Sequence, residues 1–451
     1  MTDASNNFAT TIFALSSGTG RAGVAVIRVS GPNARMALEL MAPPLPPARE
    51  IALRTIRDHE SGRALDRGVV FWFAAPRSET GEDVAEFQVH GGPAVIRAVL
   101  AALGQIPDTR LAEPGEFARR AFHNGKLDLA EVEGLADLID AETEAQRQQA
   151  LAQAGGALSK LYEGWRQRLI EIAGLVEAAI DFSDEGDVSA SAFTMARQRI
   201  EPLLTEIRAH FDDGHRGEIL RDGFRVALVG PPNVGKSSLL NALARRDAAI
   251  VSAEPGTTRD VIEVRLDLGG VPVIVSDTAG LRRAAGAIEQ EGMRRSVAAA
   301  RQANLVLCLN TEADSASTLE FSRETQVKVR TKIDLLTDSN QSQSAPSDAE
   351  FDFAISSLTG AGLDALIGEI KSRAVTAVGP LGNPAMTQAR HRQNLEVARN
   401  ALADCMAGDS SALELRAEDV RLATHALGRI TGRVDVEDVL GQIFSRFCIG
   451  K

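Results

Sequence analysis

The stretch Gly230-Pro231-Pro232-Asn233-Val234-Gly235-Lys236-Ser237 constrains this chain more than any other. It has the eight-residue phosphate-loop spacing and the matching context: the apolar run 224–229 before it reads as a strand, and 238–244 after it as a helix. A strand, a glycine turn and a helix in that order aim backbone N–H groups and the positive helix end at phosphate oxygens. Lys236 then reaches the β and γ oxygens, and Ser237 ligates Mg2+. So short and apolar a run suits a parallel strand buried on both faces. The β-rich runs 271–276, 303–309 and 353–355 alternate with helical stretches, the pattern of a doubly wound α/β fold. The polar tract 338–350 reads as a loop on that block.

Further elements follow in the order that GTP hydrolysis needs. Thr257 and Thr258, in Gly256-Thr257-Thr258-Arg259-Asp260, suit a switch whose hydroxyl completes the Mg2+ shell when the γ-phosphate is present. Asp277-Thr278-Ala279-Gly280 follows the run 271–276, which puts Asp277 near the metal and the Gly280 N–H near the γ-phosphate. In Thr331-Lys332-Ile333-Asp334 the Asp334 carboxylate can accept from both guanine N1 and N2, which selects guanine over adenine. Ser356-Ser357-Leu358 is expected to close over the base. The residue after Gly280 is Leu281, at a place where a glutamine can orient the attacking water. Leucine has no acceptor, and the nearby candidates are Glu289 and Glu291, either of which also fits a solvated helix face. Thr331 stands where most GTPases carry asparagine; it is shorter and lacks the amide, so weaker contacts to guanine N7 and to the phosphate loop are expected.

A length of 451 residues leaves room for about three domains. Residues 11–104 change quickly between short β-rich and helical runs: 23–29, 68–73 and 83–89 read as strands, 33–41 and 93–103 as helices, together a small α/β domain. After Lys126 the strand signal stops. Leu161, Trp165, Leu169, Ile172, Val176 and Ile180 form one stripe of a long amphipathic helix. Helical texture returns late, with Val420, Ala423, Leu427 and Ile430, then Val436, Val439, Ile443 and Phe447. Two helical flanks around an inserted α/β block pack most simply as one bundle, so the fold class is multidomain α/β plus all-α. Three cysteines without a CxxC pair argue against a disulfide framework or a cysteine zinc site, and no leader or membrane-spanning run is seen, so a soluble cytoplasmic protein is expected. The net charge of −12 confines any nucleic-acid contact to a local basic patch or to a partner.

Outside the nucleotide motifs the chain resembles one family closely, the bacterial tRNA modification GTPases MnmE, also called TrmE. The resemblance rests on Gly20-Arg21-Ala22-Gly23-Val24-Ala25-Val26-Ile27-Arg28, Gly81-Glu82-Asp83, His90-Gly91-Gly92-Pro93, Pro114-Gly115-Glu116-Phe117, Lys126-Leu127-Asp128-Leu129, Ala179-Ile180-Asp181-Phe182 and Phe447-Cys448-Ile449-Gly450-Lys451. It implies a tetrahydrofolate-binding and dimerisation domain (1–125), a helical domain in two parts (126–221 and 377–451) and an inserted GTPase domain (222–376). It also implies a homodimer that joins the flavoprotein MnmG in a heterotetramer or larger complex. That complex adds a carboxymethylaminomethyl or aminomethyl group to C5 of the wobble uridine of certain tRNAs, with a one-carbon unit from a 5-formyl- or methylene-tetrahydrofolate. K+ would supply at the G-domain interface the positive charge that an arginine finger supplies elsewhere.

Carried over residue by residue, the resemblance places GTP contacts on Asn233, Val234, Gly235, Lys236, Ser237 and Ser238, on Ser252, Ala253, Glu254, Pro255, Gly256, Thr257 and Thr258, on Asp277, Thr278, Ala279 and Gly280, and on Thr331, Lys332 and Asp334. Mg2+ falls on Ser237 and Thr258, K+ on Asn233, Ser252, Glu254 and Thr257, and the water-positioning role on Glu289 rather than Glu291. Folate contacts fall on Arg28, Glu86, Lys126 and Lys451, and Cys448 is a candidate functional thiol. Independently, a strand over 83–90 would put Glu86, Gln88 and His90 on one polar face. A ribosome-assembly GTPase would share the nucleotide motifs but usually appends a basic RNA-binding module, which an acidic chain with a helical end does not offer. A folate-dependent one-carbon enzyme with GTP as regulator is a third reading.

Overall fold

The computed structural model describes residues 9–182, 186–213, 215–246, 248–250, 263–277, 301–311, 325–336, 351–380, 382, 384–408, 412–434 and 437–451. Two compact units emerge: one from 1–136, 153–173 and 421–451, the other from 137–152 and 174–420. Both are assembled from separate stretches of chain.

In the first unit β1 (Thr11–Leu15), β2 (Ala22–Ser30), β3 (Ala52–Arg57), β4 (Ala64–Phe73), β5 (Val84–Gly91) and β6 (Thr109–Leu111) form one sheet in the order β3-β4-β5-β2-β1-β6. Every pairing is antiparallel except β1 with β6. Alternation decides its faces. Ile27, Val29, Ile56, Val70 and Phe87 point to one side and are buried with Leu38 and Met41 of α1 (Ala34–Met41) and Val99 and Leu103 of α2 (Pro93–Leu103). On the opposite side Ile12 and Ala14 pack against Phe117 of α3 (Glu116–His123). Arg28 and Glu86 lie on that second side, as direct cross-strand partners. The expected elements over 23–29, 33–41, 83–89 and 93–103 are present, and the strand expected over 68–73 begins four residues earlier, where it pairs with β3.

The helical stretch contains α4 (Leu129–Ile139), α5 (Glu144–Ala154), α6 (Ala157–Asp181), α7 (Gly186–Phe211) and α8 (Arg216–Asp222). In α6 the buried positions are Leu158, Tyr162, Trp165, Leu169, Ile172, Val176 and Ala179. Leu161 and Ile180, expected in this stripe, are only half-buried. In the second unit α7 packs along the later helix Ala389–Ala407; Ile200, Leu203 and Ile207 of the one and Leu395, Ala398 and Leu402 of the other are buried, and Arg197 donates across to the Met406 carbonyl at 2.7 Å. The flank before the inserted block thus packs against the flank after it, as the bundle requires.

The block itself is a sheet of β7 (Phe224–Val229), β8 (Glu263–Asp267), β9 (Pro272–Asp277), β10 (Leu305–Asn310), β11 (Gln326–Arg330) and β12 (Phe353–Ala354) in the order β12-β11-β10-β7-β9-β8. All pairs are parallel but β8 with β9, and Val226, Leu228, Val273, Val275, Leu307 and Val329 are buried almost completely. The order reverses beside β7, so the loop after β7 opens at the topological switch point where such sheets bind ligands. The tract 338–350, expected as a loop, lies outside the described residues, as do Val436 and the side chain of Val439. Among the described residues no helix is long and apolar enough to cross a membrane.

Candidate functional site

The loop after β7 leads into α9 (Lys236–Ala244), which begins two residues before the helix expected from sequence. Gly235 caps it at φ 108, a left-handed conformation that a side chain disfavours, and Asn233 sits at φ 61. Gly230 is fixed by space instead: a Cβ there would lie 2.4 Å from the Leu309 carbonyl oxygen. The result is a loop whose backbone curls around the helix N-terminus. Lys236 is buried along its stem, and its Nζ donates to the carbonyls of Gly230 at 2.7 Å and Pro231 at 2.8 Å. Its charge is thereby held over the loop. Ser237 Oγ donates to Asp277 Oδ2 at 3.1 Å, so two oxygens expected at a Mg2+ shell converge although they are 40 residues apart.

Asp277 closes β9 opposite Leu228 and is buried. Thr331 is also buried, and its Oγ1 donates to the Val234 carbonyl at 2.6 Å while its N–H donates to Asn310 at 2.9 Å. Threonine thus keeps a side-chain contact to the phosphate loop, its short hydroxyl reaching a backbone carbonyl. Asp334 follows in the turn Ile333–Leu336, pinned by the Ile333 N–H on the Ile355 carbonyl at 3.3 Å. Ser356 is buried and its turn is closed by backbone bonds to Gly360 and Ala361, whereas Leu358 is 86% exposed. Ser252, Ala253, Glu254, Pro255, Gly256, Thr257, Thr258, Thr278, Ala279, Gly280 and Glu289 lie outside the described residues.

The second unit has a further feature beside Asp277. A cavity of about 560 Å3 is lined on one side by Glu263, Arg265 and Asp277 and on the other by Asp137, Glu142 and Gln146. Helix α5 reaches the β8–β9 turn here: the Ala145 N–H donates to the Gly270 carbonyl at 3.3 Å, and Arg265 pairs with Glu142 at 3.0 Å.

In the first unit Arg28 is held from two sides, by Glu86 at 3.0 Å and Glu79 at 2.6 Å, with its guanidinium 5.8 Å from the centre of the Phe117 ring. Behind it lies a buried polar network. Arg120 donates to Glu82 at 3.0 Å, Glu116 at 3.1 Å and the Thr10 carbonyl at 2.8 Å; Ser30 donates to Glu82 at 2.7 Å, and Asn124 to the Thr80 carbonyl at 2.7 Å. Burial pushes the Glu116 carboxyl up, but hydrogen bonds from Arg110, the Glu113 N–H and Arg120 outweigh it and hold it below the usual range. The network fixes the loop through Gly81, against which the Lys126 stem lies. At the other end of the chain Ile449 bridges Pro114 and Gly450 packs on the Leu15 carbonyl, so the tail carrying Cys448 and Lys451 sits on the strand next to β2. Cys448 is exposed. Sequence reasoning missed Glu79 and Arg120; Glu82 and Glu116 lay within motifs it quoted without assigning them a role.

The N-terminal family model described as GTP-binding protein TrmE N-terminus matches residues 11–126, and the MnmE helical domain model matches 129–448. The tRNA modification GTPase MnmE of Parvibaculum lavamentivorans is 55% identical over 446 residues, covering 98% of this chain and 100% of that protein. That of Rhodospirillum rubrum is 51% identical over 459 residues, covering 98% and 99%. Among solved structures, the G domain of the T. maritima FeoB iron transporter aligns with 33% of this chain and 98% of its own at 24% identity, with a TM-score of 0.23 that adds nothing to the fold. With both family models matched and half or more of all positions identical along nearly the whole length, the chain belongs to the tRNA modification GTPase MnmE family.

Proposed function

We propose that this chain is a cytoplasmic, homodimeric, K+-activated GTPase that works with the flavoprotein MnmG to modify C5 of the wobble uridine in certain tRNAs. The observation that carries the reading is the convergence of Lys236, Ser237 and Asp277 on one phosphate loop, in a chain of this family. The division of labour follows 1–125 for folate and dimerisation, 126–221 with 377–451 for the helical domain, and 222–376 for GTP.

Phosphoryl transfer asks a protein chiefly for positioning and for charge placed where charge develops. Lys236 supplies a cation over the loop, and Ser237 with Thr258 would hold Mg2+, the nearby Asp277 completing an acidic wall. Asp334 selects guanine, its segment tied to the loop through Thr331. Asn233, Ser252, Glu254 and Thr257 would hold K+, and Glu289 orients the attacking water that Leu281 cannot. In the first unit Arg28, Lys126 and Lys451 offer cations to the carboxylates of a folate, and Glu86 offers an acceptor to its pterin amino groups. A bound 5-formyl- or methylene-tetrahydrofolate supplies the one-carbon unit. The exposed Cys448 thiol, next to that tail, is a candidate participant.

Two measurements test the reading. GTP turnover in KCl is expected to exceed that in NaCl, and Glu289→Ala to lose on the order of a hundredfold in kcat, the scale of a lost positioning or charge-stabilising group. Equal rates in the two salts would sink the cation role. Mass spectrometry of tRNA from cells lacking the chain should show unmodified wobble uridines that the wild-type chain restores.

A further inference from the structure

We infer that the arginine-rich β3–β4 hairpin is a contact surface for the sugar–phosphate backbone of tRNA, an inference that rests on the tRNA-modification reading above. β3 is the outer strand of the first sheet, and a tight loop over 58–63 joins it to β4, with Asp58 accepting from the Ser61 N–H and hydroxyl, both at 2.8 Å. Between residues 49 and 77 stand six arginines, Arg49, Arg54, Arg57, Arg63, Arg67 and Arg77, against four carboxylates. That is a local positive excess in a chain of net charge −12.

None of the six lies within ion-pair distance of a carboxylate among the described residues. In the same unit Arg28, Arg35, Arg110, Arg119 and Arg120 each pair with a glutamate. On the hairpin and its flanks the acceptors are backbone carbonyls instead: Arg57 donates to Gly62 at 3.3 Å, Arg54 to Pro44 at 3.1 Å, and Arg49, just before β3, to Arg77, just after β4. Two of the four carboxylates are engaged elsewhere, Asp58 by Ser61 and Asp66 by the N–H and ring of His90, both at 2.8 Å. Arg67 lies opposite Thr55, and Arg57 follows two residues after Thr55 on the same strand, beyond a bulge that sets it opposite Ala64, with Arg63 in the loop next to it.

An edge strand needs charge to keep other strands from pairing with it, but either sign serves that purpose. Arg57, Arg63 and Arg67, kept clear of carboxylates, suit a polyanion, since each planar fork matches phosphate oxygens. Such contacts position an RNA and add affinity without reading its sequence. The hairpin thus offers an otherwise acidic protein a local footprint for tRNA.

The test uses the full-length chain, with and without its flavoprotein partner, and a fluorescent tRNA transcript followed by anisotropy over a KCl series. The triple variant R57Q/R63Q/R67Q is expected to bind about tenfold more weakly near physiological salt, with a log K against log[KCl] slope shallower by about two to three. Its GTP turnover and thermal midpoint should match wild type, and R57K/R63K/R67K should recover the slope. Wild-type affinity and slope in the glutamine triple would overturn the proposal. So would unchanged tRNA affinity with lost binding of the flavoprotein, which would make the hairpin a protein contact. Failure of the underlying reading shows separately, as a wild-type chain that restores no wobble-uridine modification in the deletion strain.

Discussion

Thr331 ties the segment proposed to bind guanine to the phosphate loop through a buried hydroxyl, 2.6 Å from the Val234 carbonyl. The residue type could be read from the sequence as a departure from asparagine, but its partner could not, because that contact joins positions 97 apart and depends on β7 lying beside β10. The places of Lys236 and Ser237 at the helix start were legible for the opposite reason: they follow from local motif geometry that a phosphate loop imposes. Thr331→Val keeps the side-chain shape but leaves the Val234 carbonyl without that donor in a dry place. We expect a loss of about 1–3 kcal/mol, the cost of an unsatisfied buried group. Thermal unfolding should report it, and titration with a fluorescent GTP analogue should show weaker binding while the preference for GTP over ATP, set by Asp334, survives. A variant with wild-type melting and affinity would show that the hydroxyl does not hold the loop.

At the scale of elements, periodicity was readable and phase was less so. The buried stripe of α6 runs Leu158, Tyr162, Trp165, Leu169, Ile172, Val176 and Ala179, alternating steps of four and three. A stripe through Leu161 and Ile180 takes too many steps of four and drifts off that face, since a step of four overshoots a 3.6-residue turn. Strands β1, β3 and β6 escaped notice: β1 and β6 are short, and β3 sets Arg54 among its core-facing positions. Helix α5 shows what a pattern of apolar residues cannot reveal at all. Its N-terminus is capped by Gln146, whose Oε1 accepts the Glu142 and Thr143 N–H groups at 3.0 Å, and the small Ala145 is 3% exposed within the apolar core of the second sheet. Its methyl is buried against the Gly270 turn, so Ala145→Ile should overpack the contact at a cost of roughly 1–3 kcal/mol. Differential scanning fluorimetry of the full chain would register the fall in midpoint, and an unchanged midpoint would mean that the docked helix yields freely.

For the whole molecule the decisive fact is that the chain's two ends are built into the same unit, while 174–420 stays within the other. No spacing in the sequence announces such a closure; the terminal Phe447-Cys448-Ile449-Gly450-Lys451 stood out only through its likeness to a family. Its physical basis is Gly450, at φ 102, where a Cβ would come within 2.1 Å of the Leu15 carbonyl oxygen. A side chain there is excluded twice, by backbone conformation and by space. Gly450→Val should therefore lift the tail that carries Lys451 and Cys448 from β1, without touching the phosphate loop, which belongs to the other unit. Calorimetric titration with 5-formyl-tetrahydrofolate should then show affinity lowered by about tenfold or more, the equivalent of one lost charge-assisted contact. GTP affinity and turnover, measured on the same preparation, should stay at wild-type values. Equal loss of both would mean that the tail supports the fold of the whole chain and not the proposed folate site alone.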